Sequence, residues 1–292
     1  MSDRGIEANR EAGTGAGRGA FEHVPIKRVV AFWDARPCNI RHSQKPLGTR
    51  EYFDEVEARK YFVEPHIPRF AEFARWNGKR VLEIGCGIGT DTINFARHGA
   101  EVTAVDISGR SLDVARARAA VYGLAHQITF YQANVEELTE FVPVRPYDLV
   151  YSFGVLHHTP HPSRAVAELR QYMRQGSTFK MMVYHRHSWR VLGILLKHGK
   201  GRFWDLDRLI AEYSEAQTGC PVTYAYSPRQ IVKLLNGLAV KEIWVDHIFP
   251  FRISEYVRYR YEKAWYFRLM PRPLFRLFER HLGWHLCVTA EA

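Results

Sequence analysis

The chain has 292 residues, 46% of them hydrophobic and 25% charged, which allows one large core with a modest appended part and excludes a disordered composition. No apolar run reaches the ~18 residues of a membrane span, and the N-terminus lacks the apolar core of a signal peptide, so a cytoplasmic location is expected. The net charge of +10 admits an anionic partner, although much of it lies between Arg252 and Arg280 among aromatics, where snorkelling side chains on a solvated helix face account for it equally well. Four widely separated cysteines, Cys38, Cys86, Cys220 and Cys287, form no C-x-x-C pair, which excludes a zinc knuckle or a disulfide framework and leaves reduced thiols.

In chain order, residues 1–20 are rich in Gly, Ala, Arg and Glu without periodicity and are predicted to be a disordered leader. Residues 21–77 are expected to be a helical unit: an irregular stretch to Gly48 is followed by helical spacing over 51–62 and 64–76, with Ile67, Phe70, Ala71, Phe73 and Ala74 on one face of the second helix. Strands are then predicted at 80–84, 101–106, 128–132, 147–152 and 179–184, separated by helices at 90–98, 111–122 and 163–174. This alternation predicts an α/β fold with a parallel sheet sandwiched by helices and a ligand at the carboxyl ends of the strands. Residues 78–292 would form that domain, with an insertion at about 186–227, a helix at 228–236, a strand at 240–246, a second insertion at about 247–283 and a closing strand at 284–290.

The strand at 80–84 runs directly into Gly85-Cys86-Gly87-Ile88-Gly89. Glycines there let the chain turn sharply off the strand and let a ligand approach the backbone. The spacing is G-x-G-x-G, one residue short of the dinucleotide fingerprint, and Glu83 precedes it, an acid that suits a cationic ligand better than a pyrophosphate. Thr90 or Asp91 can cap the following helix. The next strand ends in Asp106, where an acceptor-only carboxylate can hold two ribose hydroxyls.

Glu83-x-Gly85-x-Gly87-x-Gly89 followed by Asp106 resembles the class I S-adenosylmethionine (SAM)-dependent methyltransferases. The loop Tyr151-Ser152-Phe153-Gly154-Val155-Leu156-His157-His158-Thr159-Pro160 is similar to that of the members acting on quinones, sterols and glycine. The resemblance implies a Rossmann-like, mostly parallel seven-stranded sheet of order 3-2-1-4-5-7-6, an N-terminal helical lid, and SAM as cofactor with S-adenosylhomocysteine as product. It also implies that the glycine loop with Glu83 and Asp91 faces the methionine part of SAM, Asp106 and Ile107 the ribose, Asn134 and Val135 the adenine, and Ser152 and Phe153 the pocket wall. His157 or His158 would face the departing methyl group, and Tyr184 would join them. Trp33, Tyr52, Arg59 and Tyr61 from the lid, with His185, are the substrate candidates; Arg59 could clamp a carboxylate. His157-His158-x-x-His161 lacks a ligand spacing, so no metal is expected.

The expected activity is methyl transfer to a small molecule, with an anionic acceptor among the options. A nucleic-acid methyltransferase is the alternative favoured by charge, but the loop after the fourth strand lacks the Asn/Asp-Pro-Pro-aromatic tetrad for base amino groups, and no stable nucleic-acid partner is expected. A SAM-binding protein without transferase activity is a third reading, since a fold does not fix function. The sequence does not set the oligomeric state; a homodimer is one option.

Overall fold

The computed structural model describes residues 20–201, 203–214 and 219–292. The expected leader, apart from Ala20, lies outside them. Strands β1 (Arg80–Ile84), β2 (Glu101–Asp106), β3 (Ile128–Gln132), β4 (Tyr147–Phe153), β5 (Met173–His185), β6 (Ala225–Tyr226), β7 (Ala239–Asp246) and β8 (His285–Glu291) form one sheet. Their order is β3-β2-β1-β4-β5-β8-β7, with β6 beside β5. Without the two-residue β6 this is the expected 3-2-1-4-5-7-6 arrangement. β1 pairs in parallel with β2 and β4, and β8 lies antiparallel to β5 and β7.

Successive residues of a strand point to opposite faces, and the central strands are apolar on both. Leu82, Ile84, Val150, Phe179, Met181 and Leu286 pack on one side of the sheet. Val81, Ala104, Leu149, Tyr151, Met182 and Cys287 pack on the other. This double burial explains why β1 and β4 read as near-continuous hydrophobic runs. β5 begins six residues before its predicted start, because Met173 pairs with Tyr147 and the polar stretch before Phe179 is drawn into the ladders of β4 and β8. The preceding helix accordingly stops at Arg170 rather than near Arg174.

Helices α1 (Ile26–Ala35), α2 (Arg50–Val63) and α3 (Ile67–Ala71) precede the sheet; α4 (Thr90–Arg97), α5 (Gly109–Val121), α6 (Leu138–Phe141) and α7 (Pro162–Arg170) connect its parallel strands. Thr49 caps α2 by accepting the Tyr52 N–H at 3.2 Å. The fully buried Arg118 of α5 ties this helical unit down, donating to the Phe53 carbonyl at 3.1 Å, to Glu57 at 3.2 Å and to the Thr90 hydroxyl at 2.6 Å.

The first insertion carries α8 (Trp189–His198), α9 (Leu206–Tyr213) and β6; α10 (Pro228–Leu234) follows it. Its Val222, Tyr224 and Ala211 pack with Phe21, Val24 and Val29 in a small cluster of their own. The second insertion carries α11 (Ile253–Tyr256), α12 (Trp265–Leu269) and α13 (Arg272–Leu282). Its basic residues are partly neutralised: Arg252 pairs with Glu262, Arg258 and Arg260 with Glu255, and Arg276 with Glu279. Among the described residues, no helix is long and apolar enough to cross a membrane.

Candidate functional site

The turn after β1 needs its glycines for three different reasons. Gly85, Gly87 and Gly89 have φ of +72°, +54° and +77°, the left-handed region that L side chains avoid. A Cβ on Gly85 would lie 2.1 Å from a Val155 methyl carbon, so the post-β4 loop packs against a missing side chain. A Cβ on Gly89 would sit 3.1 Å from the Ala115 Cβ, which lets α4 and α5 approach closely. A Cβ on Gly87 meets nothing within 4 Å, and Gly87 lines a cavity of about 310 Å³. The bare backbone there faces ligand space. Gly89 is the N-cap of α4 and makes no side-chain cap, so the expected capping by Thr90 or Asp91 is not what ends this helix. Thr90 is held by Arg118 instead, and Asp91 is turned inward.

Asp106 lies at the same edge. Its two oxygens accept the N–H groups of Gly87 and Ser108, each at 2.8 Å. A carboxylate has four lone pairs in all, so Asp106 retains acceptor capacity beyond these bonds at the cavity it lines. Burial pushes its pKa up to about 6, against the downward pull of the backbone N–H bonds from Ser108, Gly87 and Ile107. Asn134 also lines the cavity and caps the next short helix through Oδ1, which accepts the Glu136 N–H at 3.2 Å. Glu136 is occupied elsewhere, receiving the Thr159 hydroxyl and the His161 N–H; it clamps the post-β3 turn to the post-β4 loop.

Two buried carboxylates stand behind the glycine turn. Glu83 accepts the Thr92 hydroxyl at 2.5 Å, and burial, reinforced by the charge of Asp91, raises its pKa to about 8. Asp91 accepts from Lys60 at 2.7 Å, Tyr61 at 2.9 Å and Tyr151 at 3.0 Å.

The far end of the cavity is built from His158, Tyr184 and Trp33, with Lys60, Glu64 and His285 alongside. The His158 Nδ1 lies 2.8 Å from the Val222 carbonyl. A carbonyl can only accept, so the ring proton is on Nδ1 and Nε2 carries the lone pair. Trp33 meets this ring edge-on at 5.0 Å, and Tyr184 stacks on Trp284 at 4.1 Å.

Residues 81–176 match the profile of a family described as methyltransferase domain. In this segment, which runs from β1 into β5, and in its sheet order the chain is similar to the class I SAM-dependent methyltransferases. The ubiquinone biosynthesis O-methyltransferase of Nitrosococcus oceani is 37% identical over 99 residues, 34% of this chain and 41% of that protein. The chain thus matches about two fifths of the length of that relative. The crystal structure of magnesium protoporphyrin IX methyltransferase from Synechocystis PCC 6803, with bound S-adenosylhomocysteine, superposes with a TM-score of 0.56 at 16% identity, covering 91% of this chain and 99% of that one. A [4+2]-cyclase, SpnF, superposes with a TM-score of 0.53 at 16% identity over 91% of this chain and 93% of its own. Likeness at this identity concerns the fold.

Within this methyltransferase fold, Gly85, Gly87, Asp106, Ile107, Asn134, Val135, Phe153, His158, Tyr184 and Trp33 meet around one cavity. The other expected site residues are placed away from its wall. Glu83, Gly89, Asp91 and Ser152 stand behind the turn, and Ser152 is fully buried. His157 is fully buried against Tyr184 at 3.8 Å; neither ring nitrogen has a hydrogen-bond partner, and burial holds its pKa well below the usual value. Tyr52 donates to the Ile40 carbonyl at 2.7 Å, and Tyr61 serves Asp91. Arg59 donates to the Tyr256 carbonyl at 2.6 Å and lies over the rings of Tyr256 and Tyr259 at 4.2 and 4.0 Å, so its charge is committed to the second insertion rather than to an acceptor. His185 meets the Gly283 carbonyl at 3.2 Å. Sequence reasoning missed Lys60, Glu64 and His285. The first two were findable in principle: they are four apart on α2 and its end, hence on one face, whereas Arg59 is turned about 100° from Lys60.

Proposed function

We propose that the chain transfers a methyl group from SAM to a small-molecule acceptor. The observation that carries this reading is the single cavity in which Gly87, Asp106 and Asn134, at the carboxyl ends of β1, β2 and β3, meet Trp33, His158 and Tyr184. The residues fit the cofactor. Gly87 leaves open space where a side chain would stand, the Asp106 oxygens keep lone pairs for a ribose diol, and Asn134 offers an amide to adenine. When bound, SAM supplies a methyl group on a positively charged sulfur, open to in-line attack.

The protein's own contribution is mainly alignment, because bringing two reactants into contact geometry removes much of the barrier to displacement. Asp106 would hold the ribose and Gly87 the methionine part. His158, with its proton fixed on Nδ1, is set to take a proton at Nε2 from an acceptor hydroxyl, thiol or ammonium. Ile26, Val29 and Trp33 wall the acceptor side, a shape that suits a small molecule better than a polymer.

Calorimetry with SAM, followed by mass-spectrometric detection of S-adenosylhomocysteine on incubation with a metabolite extract, tests the reading. Saturable binding and extract-dependent product are expected. Absence of SAM binding overturns the proposal; binding with no product from any extract favours a SAM-dependent protein that transfers nothing.

A further inference from the structure

At the acceptor end of the cavity, three segments remote in sequence bring together Glu64, after α2, His247, after β7, and His285, the first residue of β8. One potential ligand atom from each lies within 4.8 Å of the others. Glu64 and His285 line the cavity. The His285 Nε2 stands 3.7 Å from the Glu64 Oε1, and the His247 and His285 rings are 4.5 Å apart. His247 reaches this position from a left-handed backbone, φ +71°, a conformation that non-glycine residues adopt uncommonly. Its ring nitrogens have no hydrogen-bond partner among the described residues.

A fourth histidine orients the group. The His66 Nε2 lies 2.9 Å from the His285 Nδ1, and the His66 Nδ1, otherwise without a hydrogen-bond partner, is 4.0 Å from the Asp246 carboxylate. An acid on that side favours the proton on the His66 Nδ1, so its Nε2 accepts from the His285 Nδ1–H. The His285 Nε2 then presents a lone pair to Glu64. Two acceptors facing each other in a buried space repel unless a proton or a cation stands between them. A hydrogen-bond acceptor on the far nitrogen of a ligand histidine fixes its tautomer and ring direction in metal sites, and His66 fills that place.

We propose that Glu64, His247 and His285 bind a zinc-class divalent cation at the acceptor end of the cavity, with His66 and Asp246 orienting His285. Two imidazoles and one carboxylate are the donor set of an open, three-ligand site. Tetrahedral ligand atoms sit roughly 3.3 Å apart, so closure from within 4.8 Å asks for up to about 1.5 Å of approach shared among the three side chains. Two cations nearby are already paired, Lys60 with Asp91 at 2.7 Å and Arg69 with Asp246 at 3.3 Å. The remaining coordination position would face the cavity. Resting on the methyl-transfer reading above, this assigns the acceptor to molecules with a metal-binding oxygen or sulfur, a hydroxyl or thiol whose proton the cation makes easier to remove. It departs from the sequence-based expectation of no metal.

Cobalt(II) is the probe, titrated into chelator-treated full-length protein in the absence of SAM and followed by its visible d–d absorption. One equivalent in a four- or five-coordinate spectrum is expected, with binding at least 100-fold weaker in Glu64→Gln and in His247→Ala. Circular dichroism checks that each variant folds. X-ray absorption of the zinc-loaded wild type is expected to show two imidazoles and a low-atomic-number third ligand, a readout independent of the variants. Wild-type binding no tighter than that of folded variants, or a zinc environment without imidazoles, overturns the proposal. Calorimetry with SAM on the same samples separates the two readings: cobalt bound without SAM leaves the metal site standing and the methyl-transfer proposal fallen, and the reverse pattern does the opposite.

Discussion

The two ends of the cavity are built by different means. At the glycine turn, contacts come from backbone and from residues close in sequence: Gly85 to Gly89, then Asp106, whose oxygens are fixed by N–H groups of Gly87 and Ser108. At the acceptor end, side chains meet from α1, α2, the post-β4 loop, β5 and β8, and none of them is explained by its sequence neighbours. A local, backbone-built end depends on turn geometry and tolerates little change. A side-chain end assembled from remote segments tolerates substitution better, so on the proposed reading cofactor binding and acceptor choice should respond to different mutations.

The largest effect is expected where the turn itself is broken. Gly85→Ala adds a Cβ 2.1 Å from Val155 at positive φ, and should lower stability by about 2–4 kcal/mol in urea unfolding from overpacking and backbone strain together; an unchanged midpoint would show that the post-β4 loop is not wedged there. Next, Asp106→Ala should weaken SAM binding by about 1.5–3 kcal/mol by calorimetry, typical of hydrogen bonds to a charged group. If the dissociation constant does not move, the ribose assignment is lost.

The same residue gives a pH test. With a pKa of about 6, Asp106 loses its charge as pH falls from 7 to 5, and SAM affinity should fall roughly tenfold, a dependence that Asp106→Asn flattens. The stability linkage has the opposite sign: because burial raises this pKa above the unfolded value of 3.8, its contribution to folding is fully present below that value and is lost as pH rises through about 6. Weaker binding at pH 5 therefore should not coincide with destabilisation through this group.

Arg59 gives the smallest effect on the site and sharpens the contrast between the two ends. Arg59→Met should lower stability by about 1 kcal/mol, through its lost stacking and carbonyl bond to Tyr256, and leave the acceptor KM unchanged. A several-fold rise in KM without a stability change would return Arg59 to the acceptor site.

The strand–helix alternation, the glycine turn and Asp106 were legible because periodicity and short-range spacing encode them, whereas the sheet order was implied by the family resemblance alone. The acceptor end was legible only in part. His158 and Tyr184 sit at strand ends, where a ligand is expected, and Trp33 lies in the segment expected to cover the cavity. His157 looks equivalent to His158 in sequence, yet a single turn of 3-10 helix sends it into the core. On α2 the helical period was visible but its orientation was not, so Tyr52 and Arg59 were favoured over Lys60 and Glu64. His66, His247 and His285 are isolated in sequence, and only the antiparallel return of β8 beside β7 brings the last two together.

The small cluster that joins Phe21, Val24 and Val29 to Ala211, Val222 and Tyr224 has a kinetic consequence. Val29 and its neighbours Ile26 and Trp33 form one wall of the cavity, so widening that wall means separating this cluster and breaking the bonds by which Asp34 accepts the Ser108 hydroxyl at 2.7 Å and the Arg110 N–H at 3.2 Å, while the two faces of the sheet stay packed. Such partial opening needs far less free energy than global unfolding. Amide exchange over residues 26–35 should then run faster than over β1 and β4, and removing one methyl group at Val29 or Val222 should speed it further.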